Sequence, residues 1–181
     1  MPRLFTGLEI PAEVGASLTQ LRGGLPGARW VEPGDFHITL RFIGDVDDRV
    51  AMEIAQILGG NSRFAFELSL VGLDAFGGRK PRAIYVPVEA PPTLFELQAE
   101  QERWIRRIGL PAEGRNYKPH VTLARLRDTP PRLVADYLGS RGLYRSPPFR
   151  VGRFVLFSSR ASVGGGPYVV EAAYPLSDLP K

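Results

Sequence analysis

The chain contains two histidines, His37 and His120, and both lie in the same local setting. In the stretches DFHITLRFIG (35–44) and NYKPHVTLARL (116–126), the histidine is followed by an apolar residue, a threonine and a leucine. One such stretch alone would be interpreted as an ordinary strand, because threonine is common in strands. Threonine and leucine follow a given histidine at these offsets on the order of once in a few hundred cases. Their occurrence at both histidines indicates a shared chemical role.

Strand geometry would bring the polar side chains of each stretch together. Residues i and i+2 of a strand share one face, and the residues between them share the opposite face. Each histidine therefore shares a face with the threonine two positions later, while the apolar neighbours face the core. Two such strands across a cleft would present two imidazoles and two hydroxyls to one ligand: His37 with Thr39, and His120 with Thr122.

This set of side chains is suited to phosphoryl transfer. A neutral histidine can take a proton from the attacking water while a protonated histidine donates one to the leaving oxygen. Threonine hydroxyls can donate hydrogen bonds to the non-bridging phosphate oxygens, where charge must be held in the transition state. We therefore predict His37 and His120 as catalytic residues and Thr39 and Thr122 as substrate-binding residues, with no metal ion and no cofactor required.

The composition is that of a soluble globular protein and excludes several kinds of site. The chain has 181 residues, 44% hydrophobic and 23% charged, with a formal net charge of +4, which mildly favours polyanionic partners. The absence of cysteine excludes disulfides, thiolate nucleophiles and cysteine-ligated zinc. No apolar run reaches the roughly 18–20 residues that span a bilayer, and the first residues lack the features of a signal peptide. We expect a cytoplasmic protein without a membrane partner.

The order of predicted elements favours an α+β fold with antiparallel sheets rather than a doubly wound parallel sheet. Apolar alternation and turn residues predict strands at 3–10, 28–44 (two strands around a turn at Pro33-Gly34), 64–76, 82–89, 119–126, 149–160 and 168–176. Helix signals predict helices at 11–21, 45–60, 92–108 and 130–138. Because one H-x-T-L strand occurs in each half, we expect a duplicated, two-lobed architecture.

The chain resembles the two-histidine (2H) phosphoesterases, whose signature is a pair of H-x-T motifs. Specifically, it resembles the bacterial and archaeal RNA 2′,3′-cyclic phosphodiesterases, also called 2′-5′ RNA ligases. The matching stretches occur in the expected order over almost the full length: RLFTGLEIP, RWVEPGDFHITLRFIG, PRAIYVPV, NYKPHVTLARL and GGGPYVVEAAYPL. The resemblance implies two pseudo-symmetric lobes, each an antiparallel sheet with helices on the outside, around a central cleft. We expect residues 1–181 to form a single bilobal domain.

The resemblance also implies roles for the motif residues. His37 and His120 correspond to the catalytic acid–base pair, and Thr39 and Thr122 correspond to the phosphate-binding hydroxyls. Arg125 corresponds to an arginine near the phosphate or the nucleobase. Which histidine is the acid and which is the base stays open.

Strand alternation alone leaves the orientation or the role of three side chains open. Strict alternation places Arg125 on the face opposite His120, so it needs a β-bulge, a strand end or its own long side chain to reach the cleft. Arg41 shares the parity of His37 and could meet a phosphate directly. Phe5 lies opposite the apolar face of its strand and is either a packed aromatic or a platform on which an RNA base stacks.

Other polar clusters have simpler explanations. Asp45, Asp47 and Asp48 precede a predicted helix, whose dipole favours acidic residues at its start, so a metal site is not needed to explain them. The stretch GGRKPR (77–82) lacks the Gly-Lys-Ser/Thr ending of a P-loop and is predicted to be a loop at the rim of the cleft. The stretch SVGGGP (162–167) is predicted to connect two strands as a hairpin.

The resemblance implies metal-independent hydrolysis of an RNA 2′,3′-cyclic phosphate end to a 2′-phosphate. The reverse reaction would form a 2′-5′ linkage with a 5′-hydroxyl. The substrate would be RNA with such an end or a cyclic nucleotide, and the protein would be a monomer. Two alternatives stay open. A non-catalytic binder of nucleotides or RNA ends is disfavoured by the intact histidine and threonine pairs, and a metal-dependent hydrolase is disfavoured by the small set of available ligands.

Overall fold

The computed structural model describes residues 3–159 and 167–178. Over these residues the chain forms ten β-strands, four α-helices and one short 3-10 helix, Pro33–Asp35. The strands are β1 (Arg3–Glu9), β2 (Ala28–Trp30), β3 (His37–Asp45), β4 (Phe66–Leu70), β5 (Asp74–Phe76), β6 (Ala83–Glu89), β7 (His120–Leu126), β8 (Phe149–Val151), β9 (Arg153–Ser159) and β10 (Tyr168–Pro175). The α-helices are α1 (Ala12–Thr19), α2 (Asp48–Leu58), α3 (Pro92–Arg107) and α4 (Pro131–Arg141). Within the described ranges, no helix is both long and apolar enough to span a membrane.

The strands form one curled sheet whose central strands are the two motif strands. The order is β10-β9-β1-β3-β7-β6-β4-β8, with β2 also paired to β7 and β5 also paired to β6. All of these pairings are antiparallel. Strands β3 and β7 meet where Ile38 pairs with Val121. The predicted α+β fold with two antiparallel lobes is therefore confirmed, and the two lobes are joined into one sheet at the motifs.

The helices pack on the two lobes in a crossed arrangement. On the β3 side, α3 lies against β3, and the hydroxyl of Tyr174 in β10 donates to the carbonyl of Ala55 in α2 at 2.8 Å. On the β7 side, Tyr137 of α4 packs on Trp30 of β2 with ring centroids 5.9 Å apart. The hydroxyl of Tyr137 also donates to the carbonyl of Leu21, just beyond α1. Helix α3 thus packs on the lobe that carries the motif of the first half of the sequence, and Ser17 of α1 contacts the second half, with its hydroxyl 2.7 Å from that of Tyr144.

Local sequence signals account for the helix boundaries. Helix α2 begins after Asp47, whose carboxylate accepts a hydrogen bond from the N–H of Val50 at 2.8 Å, and it ends before Gly59. The interpretation of the acidic run as a helix start is therefore confirmed. The other α-helices begin at or directly after a proline, which is well tolerated there because the first N–H groups of a helix have no partner within it: Pro11, Pro92 and Pro131.

Two predicted strands are each divided in the structure. The stretch 64–76 forms β4 and β5, which both pair with β6 and are separated at Gly72, whose φ of +84° is incompatible with a continuous strand. The stretch 149–160 forms β8 and β9 on either side of Gly152. Strand β8 pairs with β4 and strand β9 pairs with β1, so the chain crosses between lobes at this glycine. The predicted turn at Pro33-Gly34 is the 3-10 helix, and residues 162–166 of the predicted hairpin connection lie outside the described residues.

Candidate active site

The two motif strands line one cleft at the centre of the sheet, with a volume of about 460 Å³. The apolar residues of the motifs anchor the strands beneath it, since Ile38 and Val121 are fully buried. This is the arrangement that strand alternation predicts. The cleft wall contains all the side chains predicted to form the site: His37, Thr39, His120, Thr122, Arg125 and Phe5.

A β-bulge brings Arg125 to the cleft. The pairing of β7 with β6 skips Leu123, so β7 has one extra residue at this position. Leu123 and Ala124 are both buried as a result, and Arg125 returns to the face that carries Thr122. The bulge removes the parity conflict that strict alternation creates for Arg125.

Strand β3 contains the same irregularity, and it reverses the predicted orientation of Arg41. The pairing of β3 with β1 skips Leu40, so that Leu40 and Arg41 are both buried and Phe42 faces the cleft. Arg41 is 6% exposed and forms an ion pair with Glu102 of α3. The prediction that Arg41 could meet a phosphate directly is therefore wrong, because the bulge shifts the alternation by one residue.

In both histidines Nδ1 contacts a backbone carbonyl oxygen, which leaves Nε2 as the ring nitrogen available in the cleft. The Nδ1 atom of His37 lies 2.9 Å from the carbonyl oxygen of Asp35, and the Nδ1 atom of His120 lies 2.7 Å from that of Lys118. Because a carbonyl oxygen only accepts, Nδ1 is the donor in each neutral ring and Nε2 carries the lone pair. The hydroxyl of Thr39 lies 3.0 Å from Nε2 of His37 and donates to it when that ring is neutral.

The surroundings lower the pKa of both histidines below the ordinary value of 6.5. Burial is the main cause for His37, and the positive charges of His120 and Arg125 lower its pKa further, against the hydrogen bond to Asp35 that raises it. Burial also lowers the pKa of His120, with an added contribution from the ammonium of Lys118, against the hydrogen bond to the carbonyl of Lys118. Both rings are thus neutral near pH 7 when the cleft contains no anion.

Aromatic rings enclose His37. Its ring centroid lies 4.9 Å from that of Phe5, 5.6 Å from that of Phe157 and 5.0 Å from that of Tyr168. Phe5 also packs against Phe157 and is only 5% exposed. These contacts place Phe5 beside the imidazole with little free surface, and its predicted role as a base-stacking platform stays a prediction.

His120 has fewer aromatic neighbours and a cation beside it. Its ring centroid lies 5.0 Å from that of Phe76 and 5.3 Å from that of Tyr85. The ammonium of Lys118 lies 5.1 Å from the Tyr85 ring centroid and 5.7 Å from that of Phe76. The two imidazoles therefore share a hydrogen-bonding pattern and differ in the charge nearby.

The structure adds cleft residues that the sequence interpretation did not single out. Phe42 lines the cleft, is 43% exposed and has the guanidinium of Arg3 over its ring at 5.3 Å. Its position was available as a signal, because Phe42 follows His37 at the same distance as Arg125 follows His120. Arg115 of the segment before β7 is another such residue. Arg82 also lines the cleft, and it belongs to the GGRKPR loop that the sequence predicts at the cleft rim. Across the described residues, no group of three or more histidine, aspartate or glutamate side chains is placed to hold a metal ion.

The chain is similar to known phosphoesterases over most of its length. It is 29% identical over 171 residues to an RNA 2′,3′-cyclic phosphodiesterase of Bacillus subtilis, covering 90% of this chain and 86% of that protein. It is 31% identical over 155 residues to an RNA 2′,3′-cyclic phosphodiesterase of Aquifex aeolicus, covering 81% of each chain. The crystal structure of E. coli LigT complexed with 3′-AMP has the same fold, with a TM-score of 0.81 at 22% identity over 98% of this chain and 100% of that one.

A family model described as LigT-like phosphoesterase matches residues 8–85 and, separately, residues 86–168. Each match contains one histidine motif, as expected for a duplicated architecture. Because the two matches cover most of the sequence, this chain belongs to the LigT-like phosphoesterase family of the two-histidine superfamily.

Proposed function

We propose that this phosphoesterase hydrolyses RNA 2′,3′-cyclic phosphate ends to 2′-phosphates by acid–base catalysis between His37 and His120, without a metal ion. The observation that carries the proposal is the pair of imidazoles in one cleft, each with Nδ1 held as a donor by a backbone carbonyl. This geometry leaves Nε2 of each ring for proton transfer. The relatives from B. subtilis and A. aeolicus, whose names specify RNA 2′,3′-cyclic phosphates, support the choice of substrate.

The proposed reaction is a single displacement at phosphorus. A water molecule attacks the cyclic phosphodiester while the neutral histidine takes its proton at Nε2. The P–O3′ bond breaks, and the protonated histidine donates its Nε2 proton to the departing 3′ oxygen. The product is a 2′-phosphate with a free 3′-hydroxyl, and proton exchange with solvent restores the starting states of the pair. A 5′-hydroxyl in place of the water would yield a 2′-5′ linkage instead.

The hydroxyls of Thr39 and Thr122 stabilise the non-bridging phosphate oxygens in this scheme. In the free protein the hydroxyl of Thr39 donates to His37, and it turns to the phosphate when His37 is protonated or when substrate binds. The guanidinium of Arg125 adds a positive charge to the same region. Because a phosphate anion raises the pKa of a nearby imidazole, the substrate itself favours protonation of one histidine.

The two lobes act as one catalytic unit in this proposal. Strand β3 contributes one histidine and one threonine, and strand β7 contributes the other pair. The acid and base roles are assigned to the pair, because both imidazoles have equivalent hydrogen-bond geometry at Nδ1. RNA with a cyclic phosphate end, or a cyclic nucleotide, is the proposed partner of this cleft, and a single chain contains all the groups that the reaction uses.

The proposal is tested with adenosine 2′,3′-cyclic phosphate in excess EDTA, with 2′-AMP and 3′-AMP separated by chromatography. The expected result is 2′-AMP alone, at a rate that EDTA does not change. His120→Gln, purified in the same way, is the control for contaminating activity. Loss of activity in EDTA that returns with added metal would overturn the metal-free mechanism, and 3′-AMP as product would overturn the assignment of the leaving oxygen. Binding of the nucleotide without turnover would favour a non-catalytic binder.

A further inference from the structure

The cleft carries more positive charge than one cyclic phosphate requires. Arg3, Arg82, Arg115 and Arg125 line it, and Asp35 is the one acidic residue among the described residues of its wall. In the part of the chain that the structure describes, none of these four guanidinium groups pairs with a carboxylate. A 2′,3′-cyclic phosphate is a diester with a single negative charge, which the proposed mechanism already matches. The remaining arginines are available for a second anion.

These arginines divide between the two ends of the cleft. Strands β3 and β7 run antiparallel, so the residues that follow their threonines lead away in opposite directions. Arg125 therefore lies toward one end. Arg82 lies at the same end, because its carbonyl accepts a hydrogen bond at 2.8 Å from the N–H of Leu126, the residue after Arg125. Phe42 lies toward the other end, with Arg3 over its ring. The Phe42 end has an aromatic surface and a cation side by side.

A buried ion pair anchors the loop that carries the next arginine. This loop, residues 110–116, connects α3 to the segment before β7 and has no regular secondary structure. The Arg41 guanidinium donates to the carbonyl of Pro111 at 2.5 Å and pairs with one oxygen of Glu102. The other oxygen of Glu102 accepts from the N–H of Glu113 at 3.0 Å. The loop is thus attached at two points, to Arg41 of β3 and to Glu102 of α3.

This attachment places Arg115 at the Phe42 end of the cleft. Arg41, which holds the loop, directly precedes Phe42 in β3, and its guanidinium also donates to the carbonyl of Phe42. Just after the loop, the hydroxyl of Tyr117 donates to the carbonyl of Thr39 at 2.7 Å. Arg115 lies between these anchors and lines the cleft. An arginine held this way loses less freedom on binding than one on an unattached loop.

We propose that Arg3 and Arg115 form a second phosphate site beside Phe42, which binds the 5′-phosphate of the terminal nucleotide. This inference rests on the proposed function. It places the base of that nucleotide on the ring of Phe42. Base and 5′ carbon lie on the edge of the ribose opposite the cyclic phosphate, so a nucleotide seated at the histidines directs both toward one end. One guanidinium group can donate two parallel hydrogen bonds to the oxygens of one phosphate. The preferred substrate is accordingly an RNA end, in which the 5′ oxygen is phosphorylated, rather than a free nucleoside cyclic phosphate.

The test compares kcat/KM for adenosine 2′,3′-cyclic phosphate with kcat/KM for the same compound carrying a 5′-phosphate. We expect the protein to favour the 5′-phosphorylated substrate by about tenfold, mostly through KM, as is typical of hydrogen bonds to a charged group. Arg115→Gln is expected to lower this ratio several-fold, and Arg3→Gln with Arg115→Gln to bring it close to one. Arg107→Gln, an exposed arginine of α3 outside the cleft wall, removes the same charge and is expected to keep the full ratio.

The outcomes separate this inference from the function on which it rests. Equal kcat/KM for the two substrates would overturn the second phosphate site while leaving the hydrolysis of cyclic phosphates intact. An unchanged ratio in Arg115→Gln would do the same, as would an equal fall in Arg107→Gln, which would indicate a general effect of charge. If neither substrate is hydrolysed, the proposed function itself fails and the inference fails with it.

Discussion

In β3 the residue five positions after the histidine is Phe42, and in β7 it is Arg125, yet the same backbone irregularity brings both to the cleft. Each strand has an extra residue directly after the motif threonine, so each alternation shifts at the same point. The repeated backbone thus supplies two equivalent positions, and the chain uses them for different chemistry. The position in β3 presents an aromatic ring and the position in β7 presents a guanidinium, which suits a ligand whose ends differ.

The second residue of each bulge differs as well. In β7 it is Ala124, which packs in the core, and in β3 it is Arg41, which pairs with Glu102 beneath the cleft. The β3 half therefore has a charge pair at the position where the β7 half has a buried alanine. Arg41 and Glu102 also form hydrogen bonds to the loop, at Pro111 and Glu113. Because hydrogen bonds are directional, they attach this particular loop to β3 and α3, which apolar packing alone would not specify.

The largest expected effects concern what the two halves share. His37→Gln and His120→Gln should each lower kcat/KM for a 2′,3′-cyclic nucleotide by roughly 10²–10⁴-fold, the usual contribution of general acid–base catalysis. The double variant should be only slightly worse than either single one, because the two groups act as a unit. Steady-state kinetics measures the loss, and thermal unfolding checks that the variants fold. Near-full activity in either single variant would show that the halves are not equivalent in catalysis.

Because of the buried ion pair, loss of a charge should lower the free energy of unfolding more in the β3 half than in the β7 half. Arg41→Met should lower the free energy of unfolding by about 2–4 kcal/mol, because it leaves Glu102 without its cation in a largely buried position. Urea-induced unfolding measures this change. Adding Glu102→Gln to Arg41→Met should recover part of the loss, since the unpaired charge is then gone. A double variant that is less stable still would mean that the carboxylate of Glu102 contributes more through its hydrogen bond from the N–H of Glu113 than its unpaired charge costs.

The contrast between Phe42 and Arg125 predicts two different kinetic signatures. Phe42→Ala should raise KM for a cyclic nucleotide by about tenfold, within the range typical of base stacking, while Phe42→Tyr should keep most of the affinity. Arg125→Gln should lower kcat for every cyclic phosphate, including ribose 2′,3′-cyclic phosphate, which has no base. If Phe42→Ala weakens the baseless compound as much as the nucleotide, the aromatic ring does not bind the base.

The smallest expected effects are changes in the pKa values of the two histidines. NMR titration should give pKa values below 6.5 for both rings, and the two signals are easily assigned because the chain has two histidines. Lys118→Gln should raise the pKa of His120, and Arg125→Gln should raise the pKa of His37. An unchanged pKa of His120 in Lys118→Gln would show that the ammonium does not act on this ring, and an unchanged pKa of His37 in Arg125→Gln would show the same for the guanidinium.

These lowered pKa values also set the sign of the dependence of stability on pH. As the pH falls below 6.5, the unfolded chain binds a proton at each histidine before the folded chain does. The free energy of unfolding therefore falls in this range, and His37→Gln should reduce that decline. A decline that is unchanged in His37→Gln would assign it to other groups.

The sequence by itself determined the pairing of each histidine with its threonine, because the period of two along a strand is a local property. It also determined the start and end of α2, because the cap at Asp47 and the glycine at Gly59 act within one turn of the helix. The resemblance of the two motifs then predicted a duplicated α+β fold, which the structure and the family match confirm.

Only the tertiary structure decided which way Arg41, Phe42 and Arg125 face. The bulges that orient them arise where β3 pairs with β1 and β7 pairs with β6, and such pairings join residues far apart in the sequence. The crossing of α1 and α3 to opposite lobes is likewise a result of packing between distant segments. Local periodicity determines a side chain's face only while the strand stays regular, and the loss of regularity depends on the partner strand.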